Sequence, residues 1–219
     1  MKTTATNTRA AEIVDFWLAD AADSPEAAFD RVDLWYRSGP EFDQEIESKF
    51  GADLRAACAG ELDDWAADPM GALALVILLD QFTRNTYRNT PDAYCGDQAA
   101  FSIADATVRA GRDAGLPVAG RIFLYHPLHH SESLEQQDRV LDLLGRLEEE
   151  VSPEWKAYVQ RSIKGHGRHR DIVARFGRFP HRNQVLGRPN TAEEDEYLQA
   201  GPDAFGQGAK TNDTKTTSG

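Results

Sequence analysis

Side chains that bind anions or move protons crowd into two short stretches of this chain. Residues 175–183 read Arg-Phe-Gly-Arg-Phe-Pro-His-Arg-Asn. Within them Arg178, His181, Arg182 and Asn183 offer donors that suit an anion, because a guanidinium fork matches the oxygens of a carboxylate or phosphate and an imidazole can hold or transfer a proton. Phe179 and Pro180 give that loop its apolar anchors. The second stretch, Asp80-Gln81-Phe82-Thr83-Arg84-Asn85, ends the most hydrophobic run of the chain with the same chemistry. Asp80 and Arg84 lie four apart and share a face if the run is helical. Either they pair with each other, or Asp80 orients Arg84 toward a ligand while Asn85 adds an amide donor. The two stretches are expected to be halves of one site.

Histidines add a third element. His126 and His130 would share a helical face, which raises a metal site, but Pro127 and the lack of a companion carboxylate-histidine motif argue against it, and no metal or cofactor is expected. His130 and Glu132 are weighed as a hydrogen-bonded acid-base pair against a cap for the helix that follows. His166 and His169 fall on an apolar stripe, where histidines bonded to carbonyls are the commoner outcome. His169 is the better functional candidate, because it precedes Phe176 by two helical turns and so lies within reach of the loop 178–183. Over residues 161–190 eight Lys or Arg accompany a single acid, Asp171, in a chain of formal net charge −12. These cations either pair with acids on neighbouring helices, such as Glu148, Glu149 and Glu150, or stay open to a ligand.

The elements that position these groups read as helices throughout. Apolar residues recur three or four apart at Ile13, Phe16 and Trp17, at Phe29, Val32 and Trp35, and at Phe42, Ile46, Phe50 and Leu54. Ser24-Pro25, Asp68-Pro69 and Ser152-Pro153 are cap-plus-proline starts. From Asp68 a helix runs through Leu73, Leu75, Val76, Ile77, Leu78 and Leu79 with no polar face, so it must be surrounded by other helices. A further helix is expected over residues 97–114 with Gly115 as its stop. Pro127 interrupts the next, and capping boxes fit Ser133 to Gln136 and Thr191 to Glu194. The last long helix carries Trp155, Val159, Ser162, His166, His169, Val173 and Phe176 on one side. Gly165 and Gly167 within it imply a break or a close approach by another segment.

No stretch alternates with period two, which makes the protein all-α. The reading is a single domain over residues 10–205, built of stacked antiparallel helical hairpins, between disordered ends at 1–9 and 206–219. The acidic balance, 36 Asp and Glu against 24 Lys and Arg, argues against a nucleic-acid or membrane-surface protein. The longest apolar run, residues 72–79, is too short to span a bilayer. Cys58 and Cys95 have no metal-ligand spacing, and no secretory leader is visible, so two reduced thiols in a cytoplasmic protein are expected.

Leu78-Leu79-Asp80-Gln81-Phe82-Thr83-Arg84-Asn85, Phe123-Leu124-Tyr125, His130-Ser131-Glu132, and residues 175–183 followed by Leu186-Gly187-Arg188 together resemble the bacterial family catalogued as domain of unknown function 924. The match extends over about residues 10–205 and implies a helical domain related to the right-handed tetratricopeptide superhelix, without an assigned activity. Thr83, His126 and His129 stand where that family usually has proline, an aliphatic residue and an acid. The functional expectation is a binding module whose pocket, lined by Asp80, Arg84, Asn85, His130, Glu132, His169, Arg178, His181, Arg182 and Asn183, takes an anionic small molecule or peptide. The alternatives are a hydrolase or transferase acting on a phosphate or carboxylate ester with His169 or His181 as general base, and a structural or assembly protein.

Overall fold

The computed structural model describes residues 3–201, with side chains from Thr8 onward, and all regular structure among them is helical. The expectations for residues 1–2 and 202–219 lie outside the described residues. Helix α1 (Thr3–Leu18) starts ahead of Ala10, where its apolar spacing begins. Ser24 caps α2 (Pro25–Asp30) by accepting from the Ala27 N–H at 3.2 Å, and α3 (Val32–Arg37) follows a turn at Arg31. Proline opens α4 (Pro40–Cys58), which buries Ile46, Phe50, Leu54 and Ala57 along one stripe.

The expected central helix is present, but it is not uniform. Asp68 caps α5 (Pro69–Val76), residues Ile77–Phe82 then widen into a π-helical segment, and α6 (Thr83–Thr86) ends the rod. Every residue from 72 to 79 is at most 1% exposed. Burial of this kind contributes roughly 1.5–3 kcal/mol per large aliphatic side chain, which is why the rod has no polar face to spare. Helices α1, α7 (Asp97–Arg109) and α8 (Val118–His129) pack on α5, while α4 packs on the π segment and α6. Trp17, Trp35, Phe82 and Phe123 meet edge to face where these elements converge, with ring centroids 4.8 to 5.6 Å apart.

Several boundaries differ from the sequence reading for identifiable reasons. α7 stops before Gly111, whose left-handed φ of 65° supplies the cap expected at Gly115. α8 runs through Pro127 instead of breaking there: it is packed between α5, α7 and α9 (Leu134–Glu150), and tertiary contact offsets the lost N–H. Ser133 makes no capping bond. Gln137 instead reaches back and donates to the His129 and Ser131 carbonyls at the end of α8. α10 (Pro153–Phe176) is continuous, and a Cβ at Gly165 or Gly167 would meet nothing within 4 Å, so neither glycine marks a break or a close approach. Val151 and Ser152 alone join α9 to α10, which pack side by side as a helical hairpin. Thr191 and Glu194 form the expected capping box at the start of α11 (Ala192–Gln199). Among the described residues no helix is long and apolar enough to cross a membrane.

Candidate functional site

The π segment sets Asp80 at the centre of a buried polar knot. Its side chain is 0% exposed. Oδ1 accepts from His130 Nδ1 at 2.7 Å and lies 3.2 Å from Arg84 Nη1, while Oδ2 accepts from the Gln81 amide. Arg84 also donates to the Asp80 carbonyl at 2.7 Å and grips Asp97 with both terminal nitrogens, at 2.8 and 3.1 Å. Asp97 reaches it because Gly96, just before α7, lies against Leu79, where a Cβ would collide with the Leu79 carbonyl. Burial alone would push Asp80 up, but Arg84 and His130 outweigh it and hold the carboxyl below the usual carboxylate range. An ionised carboxylate only accepts, so His130 presents Nδ1–H to it. Burial lowers His130 to about 3 against the pull of Asp80, leaving a neutral imidazole whose Nε2 is an acceptor.

Beside this knot is a cleft of about 340 Å3 lined by Tyr94, Asp97, Phe101, His130, Arg182, Leu186 and their neighbours. Arg182 is its unusual member. The residue is 7% exposed, yet only Nη1 has an acceptor, the His130 carbonyl at 3.0 Å, with Asp97 at 3.9 Å. Its Nε is buried without a partner. Aromatic faces take the place of carboxylates, with the guanidinium carbon 4.4 Å from the Phe179 ring centroid and 5.0 Å from that of Tyr94. Burial and the nearby Arg84 lower Arg182 to about 10, the direction expected of a cation short of counter-charge. Asp97 moves oppositely, raised by burial despite Arg84.

The two stretches singled out in the sequence therefore do meet, but through fewer residues than expected. Arg84 and Arg182 share Asp97, and His130 joins them. Asn85 turns the other way and donates to Asp43 at 2.7 Å, next to the Arg88–Asp43 ion pair. Glu132 does not pair with His130: its carboxylate takes the Arg188 fork at 2.6 and 2.9 Å and the Phe179 N–H at 2.8 Å, so it fastens the loop to the α8–α9 elbow. Arg178 is occupied by Glu194 at 2.6 and 2.7 Å. Asn183 bridges Asn190 and Arg188 within the loop. Arg170 and Arg175 pair with Asp138 and Glu193, so much of the basic segment is matched by acids, though not by Glu148 to Glu150. Tyr94, Asp97, Phe101 and Leu186 were not anticipated. Asp97 resembles any acid in a first helical turn, and Tyr94 is an isolated aromatic without periodicity.

His169 and His181 lie behind the cleft wall, not on it. His126, His129, His166 and His169 pack tilted or edge to face through the core with ring centroids as close as 3.8 Å; Phe179 lies 5.6 Å from His169, and His181 lies 5.5 Å from Phe179. Nδ1 of His126 and His166 donates to the carbonyl four residues back, at 2.8 and 2.7 Å. That leaves each Nε2 an acceptor; His126 receives the Tyr36 hydroxyl at 3.2 Å. Burial pushes all of these imidazoles down. Among the described residues no group of three or more His, Cys, Asp or Glu could hold a metal ion.

The family described as bacterial protein of unknown function, DUF924, matches residues 13–202. Among solved structures, a protein of unknown function from Agrobacterium tumefaciens is 37% identical, with a TM-score of 0.75 over 90% of this chain and 99% of its own. No curated protein matches.

Proposed function

The chain belongs to the DUF924 family of bacterial proteins, and on that premise we propose that the cleft binds a small monoanionic carboxylate with an apolar body. One observation carries the reading: Arg182 is a nearly buried guanidinium on the cleft wall whose hydrogen bond goes to a neutral carbonyl and whose carboxylate neighbour, Asp97, stands 3.9 Å away. A buried cation is costly unless paired, so a site that keeps one underpaired is suited to a ligand that completes it.

Charge and size narrow the ligand. Arg84 and Arg188 are already balanced by Asp80, Asp97 and Glu132, whereas Arg182 reaches Asp97 only at 3.9 Å. A polyphosphate would meet Asp97 and Glu132 at close range, whereas a single carboxylate adds one charge beside the one cation short of a partner. A volume of about 340 Å3 lies at the small end of ligand sites. Tyr94, Phe101, Pro127 and Leu186 supply the apolar wall. The test is a thermal-shift panel of acetate, butyrate, benzoate, phosphate and nucleotides at matched ionic strength. Larger monocarboxylates should raise the melting temperature; a response only to phosphates, or to all anions equally, removes the reading.

A second reading has its own observation, the 2.7 Å bond from His130 to Asp80, which orients the imidazole as in a general-base pair. It also moves the candidate base from His169 and His181 to His130. With its pKa pushed to about 3, His130 is a weak base at neutral pH, so binding ranks above catalysis. Hydrolysis of small carboxylate esters by the wild type, lost in His130→Gln, would reverse that order.

A further inference from the structure

Cys58 is the last residue of α4, and Cys95 follows the short 3₁₀ turn Pro91–Tyr94. Both are exposed and free, and their sulfurs lie 3.7 Å apart across 37 residues of chain. From that van der Waals contact the sulfurs need to approach by only about 1.7 Å to reach the bonding distance of about 2.05 Å. The contact joins two elements with different duties. α4 packs on the rod, whereas Tyr94 and Asp97 on either side of Cys95 and Gly96 line the cleft.

We propose that Cys58 and Cys95 form a reversible intramolecular disulfide by exchange with a low-molecular-weight disulfide, and that this bond fastens the cleft wall 94–97 to the end of α4. In the first step the Cys95 thiolate attacks one sulfur of the small disulfide, forming a mixed disulfide and releasing one small thiolate. Cys58 then gives its proton to solvent or to that thiolate and attacks Cys95 Sγ, and the second small thiol leaves. Two protein thiols are oxidised and one small disulfide is reduced to two thiols. Burial and the adjacent Cys95 push the Cys58 thiol up to about 12, which keeps it mostly protonated, so the second attack rests on the 3.7 Å proximity of the two sulfurs and not on thiolate content. This inference is independent of the carboxylate reading.

The full chain, reduced and then equilibrated with oxidised glutathione, should lose two hydrogens in intact mass. A non-reducing peptide map should join Cys58 to Cys95. Cys58→Ser should instead retain a glutathione adduct on Cys95. Stable adducts on both wild-type cysteines, or a covalent dimer, would overturn the proposal. Amide exchange over residues 94–97 should slow on oxidation; unchanged exchange there would refute the claim that the bond fastens the wall.

Discussion

At the scale of single residues, Asp80 is the group on which the site depends. It accepts from His130 and Gln81 and pairs with Arg84, and its own side chain is out of contact with water. Truncating one partner of a buried charge network leaves the others uncompensated, which typically costs about 3–5 kcal/mol. Asp80→Ala should therefore lose about that much in equilibrium urea unfolding, and a loss below about 1 kcal/mol would show that Arg84 is held by Asp97 alone. Only part of this knot was legible in the sequence. The four-residue spacing announces the Asp80–Arg84 pair, but the His130 bond spans 50 positions and no local pattern encodes it. Arg178 and Arg182 look alike in the sequence; Glu194, a residue of the next helix, satisfies one and not the other.

At the scale of elements, caps and apolar spacing located most helices, because those signals are local. The π segment was invisible. A widened turn has no composition of its own, and only the side chains it redirects, Asp80 and Gln81 into the core, disclose it. Glycines show the same limit. Gly165 and Gly167 suggested a constraint, yet open space surrounds them, whereas Gly96 drew no notice and is pressed against the Leu79 carbonyl. The two cases predict opposite signs. Gly165→Ala or Gly167→Ala should raise stability by up to about 1 kcal/mol through helix propensity. Gly96→Ala should lower it by roughly 1–3 kcal/mol, because backbone must move. Thermal unfolding of the three variants checks both, and a Gly96→Ala protein as stable as wild type would mean that Asp97 is not held by this approach.

For the whole molecule, the buried and partly buried histidines set the response to acid. His126, His129, His130, His166, His169 and His181 all have pKa values below the ordinary 6.5, chiefly through burial. A histidine whose pKa falls on folding binds protons more readily when unfolded. Its stabilising contribution is thus complete above pH 6.5 and is lost as pH drops toward the folded value. A histidine pushed to about 3, as His130, His166 and His181 are, costs about 2 kcal/mol at pH 5, so two of them acting in full remove about 4 kcal/mol, a large share of a typical domain's margin. Asp80, Glu132 and Glu194, whose pKa values are lowered, act only below the ordinary carboxylate range, while Asp97, raised by burial, regains stability as pH falls and is one group set against the histidines. The melting temperature should fall steeply from about pH 6.5 to 5, and a flat profile between pH 7 and 5 would contradict neutral burial of the cluster.

The same scale holds the central claim, that Arg182 is kept underpaired for a carboxylate and not for the fold. Equilibrium unfolding of wild type and Arg182→Met, each with and without benzoate at about 100 times its wild-type dissociation constant, tests it most directly. Without benzoate the variant should lie within about 1 kcal/mol of wild type, because removing a poorly compensated buried charge offsets the bond lost to the His130 carbonyl. With benzoate the wild type should gain about 2.7 kcal/mol and the variant almost nothing. A variant destabilised by 3 kcal/mol or more without ligand, or one that gains as much from benzoate as the wild type, would contradict the account.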